Sequence, residues 1–336
     1  MTTSQSRHPR RAPRWLVEAT AWAAAAVLAA GVAVVALDVV EPPVAAAAPA
    51  PAPVVAAPTP TPTPVVVKKK PAVKVAPPKK RAASVPAPAL GPPPGPQFDP
   101  APTRFAAPED RYALLAGVTN YRSPTKDTIG SVNDVRYIST YLQSQGWPRE
   151  NIRLLTDNQV TGKALRDGMR WLASKSQAGK TFTFFHYSGH VKQFGGQREA
   201  LWPIDRDWVM DSQVTQLLGQ VKGKAWFDIA GCEAGSFLPG LPSNDRLLSA
   251  SSNAVQKSYE YPPWGMSVWT GLLFDLSMRQ GNADANGNKV VTVGEALRYS
   301  TYYAQSITLR QRPHGRQTPQ TAGDPIRGWT LANPPA

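Results

Sequence analysis

Thr181 to His190, TFTFFHYSGH, is an aromatic and β-branched run that breaks at Ser188-Gly189. A run of that composition, ended by a turn pair, reads as a buried strand delivering a histidine at its carboxyl end. A second run, Ala225 to Ala230 (AWFDIA), ends the same way in Gly231-Cys232-Glu233-Ala234-Gly235, placing Cys232 42 residues after His190. In an open parallel α/β sheet the carboxyl ends of the strands form the crevice where ligands bind, so two such strands set an imidazole beside a thiol. That is the minimum equipment for thiolate nucleophilic catalysis.

The surrounding pattern supplies the rest of such a sheet. Tyr112 to Val118 reads as a first strand, and Ser131 opens a helix with Val132, Val135, Ile138 and Leu142 at helical spacing, closed by Gly146. Ile152 to Leu155 is a second strand, followed by a helix with Leu165, Met169 and Leu172 on one face. The Thr181 strand comes third; after an irregular stretch, Val214, Leu217, Leu218 and Val221 mark the helix before the Cys232 strand. Leu247 to Ser249 is a fifth strand, Val268, Leu272 and Leu276 lie on a later helix, and a last helix starts at Thr292. Alternation of this kind predicts an α/β fold with a mainly parallel central sheet and helices on both faces.

Composition divides the 336 residues. Residues 1–14 carry four arginines and no acid, and Ala19 to Leu37 has no charge over a length that matches the roughly 30 Å of a bilayer core. The expectation is a basic cytoplasmic tail (1–14) and a transmembrane signal-anchor helix (15–40) with the remainder across the membrane. A cleaved signal peptide is the rival reading, with Ala45-Ala46-Ala47 as small residues. Residues 41–103 are Pro/Ala/Lys-rich, cannot build a core, and are expected as a disordered, extended linker. The folded domain is placed at 104–328, with a tail at 329–336. Of the net charge of +14, half belongs to residues 1–103, and the rest is scattered rather than run together, so no nucleic-acid footprint is present.

His186-Tyr187-Ser188-Gly189-His190 resembles the H-Y-S-G-H-G box of metacaspases, and Gly231 to Gly235 resembles the box around their nucleophile. Gly130-Ser131-Val132-Asn133-Asp134, Glu199-Ala200-Leu201-Trp202-Pro203-Ile204-Asp205, Leu248 to Ser251 and Gln317 to Gln320 match further elements of the caspase fold in the same order. The resemblance to caspase-like cysteine peptidases of the bacterial metacaspase type covers about residues 110–325. It implies a cysteine endopeptidase with a Cys232/His190 dyad and a polypeptide substrate. It also implies an oxyanion held by backbone N–H groups near Gly189 and Cys232, and a substrate pocket involving Asp134 and Ser188. The expected location is a bacterial inner (cell) membrane, single-pass, with the C-terminal domain periplasmic or extracytoplasmic.

This chain departs from the pattern at several places. Ala230 stands where the family has an acid, and Asp228, two residues earlier on the same strand face, is the substitute for binding Arg or Lys. Asp134 has a second reading, since Ser131-x-x-Asp134 is the spacing of a helix capping box. Val191 replaces the glycine after the histidine, a disturbance if that position needs positive φ. Asp284, Asn286, Asn288, Thr292 and Glu295 fall at the ligand positions of an EF-hand calcium loop, although Lys289 takes the place of its glycine. Thr292-x-x-Glu295 is equally a capping box on the last helix. No other cofactor is expected. The alternative to an enzyme is a catalytically inactive caspase-fold module that binds a peptide or envelope partner.

Overall fold

The computed structural model describes residues 91–93, 107–195, 198–240, 245–309, 315–323 and 328–332. The expected anchor and linker lie outside the described residues, apart from 91–93, where the Gly91 carbonyl accepts a hydrogen bond from the Tyr303 hydroxyl. Among the described residues no helix is long and apolar enough to cross a membrane.

Seven-residue strands β1 (Arg111–Gly117), β3 (Phe182–Ser188) and β7 (Lys224–Ala230) form the middle of the sheet. With β2 (Ile152–Thr156), β8 (Arg246–Ala250) and β11 (Gln320–Gly323) they line up in the order β11-β8-β7-β3-β1-β2. Every pairing is parallel except that of β11 with β8. The antiparallel edge strand, read by the sequence analysis only as a motif, makes the sheet mixed.

Alternation along these strands sorts side chains onto two faces. Leu114, Phe185, Tyr187, Phe227 and Ile229 pack in one core with residues of α2 (Gly162–Lys175) and α3 (Asp211–Leu218). Leu115, Phe184, Trp226 and Ala230 face the other core, under α1 (Ser131–Ser144), α5 (Val293–Thr308), and α4 (Val268–Thr270) with the π-helix Gly271–Arg279 that continues it. Burial on both faces explains why the strands read as near-continuous apolar runs.

Two stretches depart from the expectation. The irregular segment after His190 holds a small antiparallel sheet, β4 (Val191–Gln193), β5 (Glu199–Leu201) and β6 (Val209–Met210). Beyond β8, β9 (Glu260–Tyr261) and β10 (Met266–Ser267) pair as a hairpin. The expected tail at 329–336 is corrected over its described part: Trp329 and Leu331 are buried in the second core. The Leu331 carbonyl accepts from Arg111 and Trp147, and the Trp329 carbonyl from the Val293 N–H.

Candidate active site

The last register pair between β3 and β7 is Ser188 with Ala230, and the Gly189 N–H continues the ladder onto the Ala230 carbonyl at 3.1 Å. His190 and Cys232 each stand two residues past that pair, on adjacent strand ends. A Cβ on Gly231 would lie 2.8 Å from the Gly189 carbonyl and 2.9 Å from Val191, so glycine there lets the two ends close together. At Gly189 a Cβ would meet the hydroxyls of Tyr121 and Tyr187 at 2.6 and 2.8 Å. Those hydroxyls hold the histidine loop: Tyr121 accepts from the His190 N–H at 2.8 Å, and Tyr187 lies 2.9 Å from the His190 carbonyl.

The imidazole of His190 is half-buried, and its Nε2 lies 2.8 Å from the Lys126 carbonyl. A carbonyl only accepts, so Nε2 carries the proton and Nδ1 keeps the lone pair. The sulfur of Cys232 accepts from the Ser258 N–H at 3.5 Å, and burial, countered by that contact, pushes the thiol up from its ordinary value. Glu233 and Glu260 push the same way, while Lys257 opposes them. Glu233 has a left-handed backbone (φ 52°), uncommon for a residue other than glycine. The turn is held by its N–H on the Gln256 carbonyl and by an ion pair with Lys257. Ser251 and Ser252, just past β8, bind the Gly231 carbonyl at 3.1 and 2.9 Å and complete the brace around the cysteine.

Asp134 is wholly buried on the inner face of α1. Gly130, not Ser131, is the N-cap residue, so the capping-box reading of Asp134 fails. Its carboxylate instead accepts from the Ser188 hydroxyl at 2.7 Å and the Ser267 N–H at 3.0 Å, while burial pushes its pKa up to about 6. Ser267 pairs across the hairpin with Glu260, whose carboxylate accepts from the N–H groups of Ile129 and Gly130 at the start of α1. Glu260, Lys126, Ser258 and Tyr121 have no signature in the sequence. Lys126 and Ser258 act through backbone atoms, and Glu260 in the two-residue strand β9 and Tyr121 in a loop are brought back to the strand ends only by the fold.

Three expected residues stand differently. Asp228 is a core group: it faces His186 at 2.7 Å (Nδ1 to Oδ2), accepts from Trp269 Nε1 at 2.9 Å and from Ser249, and has no exposed surface. The period of two that places it on the face of Ala230 also places it one layer deeper, under aromatic cover. Gly189 gives its N–H to the ladder and has none left for an oxyanion. Val191 takes no positive φ and enters β4 as ordinary extended backbone, so no strain follows from losing the glycine. Its register pair with Leu201 is the non-hydrogen-bonded kind, because Trp202 N–H already reaches the His190 carbonyl. The Val191 N–H therefore points away from β5.

The residues of the calcium candidate lie in one loop and at the start of α5. Asp284 accepts from the Gly287 and Lys289 N–H groups, and Asn286 and Asn288 accept from the N–H groups two residues on. Glu295 and Thr292 form both bonds of a capping box on α5. The oxygens are turned onto their own backbone, and among the described residues no three His, Cys, Asp or Glu side chains converge as a metal site.

Fold and site together define a caspase-like α/β domain: a mixed, mainly parallel sheet between two helical layers, with a thiol and an imidazole at neighbouring strand ends. A family model described as the caspase domain matches residues 110–320, and the chain belongs to that peptidase family. Metacaspase-1A of Aspergillus oryzae is 31% identical over 213 residues, 53% of this chain and 50% of the relative. Metacaspase-1A of Neosartorya fischeri is 32% identical over 202 residues, 49% and 46% of the two chains. Metacaspase-1 of Ajellomyces capsulatus is 32% identical over 171 residues, 44% and 47%. The chain thus spans about half the length of the curated relatives it matches.

Proposed function

We propose that the chain is a cysteine endopeptidase in which Cys232 and His190 act as a dyad and the preferred cut follows Arg or Lys. The observation that carries this reading is the orientation of His190. With Nε2 held by the Lys126 carbonyl, Nδ1 is the free base beside the strand end that bears the only cysteine. Nδ1 takes the proton of the Cys232 thiol as the sulfur attacks the scissile carbonyl carbon. The N–H groups of Cys232 and Val191 face the developing oxyanion. Collapse breaks the C–N bond, His190 returns the proton to the leaving amine, and a thioester remains. Water, deprotonated by His190, then attacks the thioester and releases the acid and the thiol.

Preference for a cation rests on Asp134. Its carboxylate, as buried as that of Asp228, accepts from Ser188, the last residue of β3, whereas Asp228 is taken up by His186, Ser249 and Trp269; Glu260 adds a second acid nearby. Hydrolysis of fluorogenic peptides with Arg, Lys, Asp or Ala ahead of the bond, with and without Ca²⁺ and beside Cys232→Ala, tests the assignment. Cleavage after Arg or Lys that vanishes in the variant supports it; cleavage after another residue removes Asp134 from the pocket. An inactive binding module is the second reading, favoured by the upward push on the thiol. Slow alkylation of Cys232, together with no hydrolysis, would select it. We also propose residues 15–40 as a membrane anchor, which fails if the full chain partitions to the soluble fraction.

A further inference from the structure

Aromatic rings run in an unbroken line away from His190. Tyr121 and Trp202 flank the imidazole with centroids at 4.6 and 5.7 Å. Trp202 meets Trp208 edge-on at 4.8 Å, and Trp208 meets Phe194 edge-on at 5.7 Å. Phe194 is exposed and Trp202 and Trp208 are half-buried; neither Phe194 nor Trp208 belongs to a core cluster. A contiguous apolar surface of this kind, left uncovered among the described residues, marks a binding surface.

Two further observations say what covers it. β4 is the edge of its sheet, and Val191 and Gln193 sit in non-hydrogen-bonded pairs with Leu201 and Glu199, since Phe194 N–H reaches the Arg198 carbonyl. Their N–H and C=O groups point out of the free edge, a template for an extended peptide. The Lys192 ammonium lies 5.9 Å from the Phe194 ring and 5.7 Å from the Trp202 ring, and among the described residues no carboxylate is bonded to it. Carboxylates on the neighbouring segments are turned elsewhere: Glu199 is buried, Asp205 accepts from the Gly162 N–H, and Asp207 pairs with Arg166.

We propose that Phe194, Trp202 and Trp208 bind the substrate segment on the leaving-group side of the scissile bond, selecting a large aromatic residue within two positions of the cut and an acidic residue beside it. This rests on the peptidase reading, which fixes the direction. The leaving amine collects its proton from His190, so the segment it belongs to lies on the His190 side, while the acyl half extends toward Asp134 and Ser188. The aromatic line starts at His190, and its Trp202 packs against the core on the α2/α3 face of the sheet, whereas Asp134 lies in α1 on the other face. The residues named are specificity determinants that act on the substrate chain and take no part in proton transfer.

The test uses the full chain and two substrates with the same acyl half ending in Arg. One releases an aminocoumarin; the other is an internally quenched peptide that continues with Phe-Asp or with Gly-Ser. The Phe-Asp peptide is cut faster than the Gly-Ser peptide. Phe194→Ala and Trp208→Ala each lower its kcat/KM about three- to tenfold, the worth of one aromatic pair, and leave the aminocoumarin rate unchanged. Lys192→Glu reverses the preference for the acid. Equal rates for the two peptides, or an equal fall on both substrate formats, overturn the proposal while the peptidase stands. Quenching of tryptophan fluorescence by the Phe-Asp peptide is read in parallel on Cys232→Ala. Binding there that is lost in Trp208→Ala supports the surface even if no substrate is cut, and absence of binding overturns it.

Discussion

Two histidines lie four residues apart, one inside β3 and one just past its end, and their surroundings have little in common. His186 is inside the β3–β7 ladder, paired in register with Asp228, wholly buried, and 2.7 Å from that carboxylate. Its Nε2 has no hydrogen-bond partner among the described residues. His190 is past the last pair, half-buried, with a backbone carbonyl on Nε2 and a thiol on the neighbouring strand end. Inside the ladder a polar side chain must be matched by another and stays fixed. Beyond it the backbone is released from pairing, and the ring of the same residue type is half-exposed at the strand end rather than sealed in the core. The comparison separates what the chain uses to stand from what it uses to act.

Substitutions sharpen that division. At the strand end, His190→Ala is expected to lower kcat about 10²- to 10⁴-fold, the worth of a general base, with the denaturant midpoint unchanged. A shifted midpoint would place His190 in the core as well. Inside the ladder the effects reverse. Asp228→Ala leaves buried His186, Ser249 and Trp269 without their acceptor and costs about 3–5 kcal/mol in urea unfolding. Turnover per folded molecule should hold, and its loss would join the two regions into one machine.

Asp134 lies between the two regions and gives a pH dependence of each sign. Its folded carboxyl, pushed up to about 6 by burial, binds a proton more tightly than the unfolded one, at 3.8. Stability from this group is therefore full below about pH 4 and is lost as pH rises through about 6, a change of about 3 kcal/mol that Asp134→Asn removes. Recognition of a cation needs the ionised form, so kcat/KM for Arg substrates rises through the same range. Asp134→Asn should flatten that rise; an unchanged limb would exclude Asp134 from the pocket. The smallest expected effect is Thr292→Ala, about 1 kcal/mol in the same urea experiment, for loss of the α5 cap. A larger loss together with calcium-dependent stability would assign that loop a metal as well as a cap.

The three long strands and the residues past their ends were legible because burial on both faces leaves aromatic and β-branched runs that polar turns interrupt. Strands β4, β5, β6, β9 and β10, two or three residues each, are too short to show a period and form because the fold brings their partners together. Ser131-x-x-Asp134 has a capping spacing, yet Gly130 occupies the cap, and only the tertiary placement of Ser188 and Ser267 shows where Asp134 points. Trp329 and Leu331 follow a stretch of sequence rich in polar residues, so nothing local marks them as core. Alternation put Asp228 on the correct face, and depth below the strand end, invisible in a one-dimensional pattern, took it out of the pocket.

Activation of Cys232 by His190 is read out by labelling with an Arg-directed peptidyl electrophile, followed as intact mass and mapped by peptide digestion. One adduct is expected, on Cys232, formed far faster than on a free thiol at neutral pH and slowed to the free-thiol rate in His190→Ala. An equal rate in the two proteins, or no adduct at all, would contradict it.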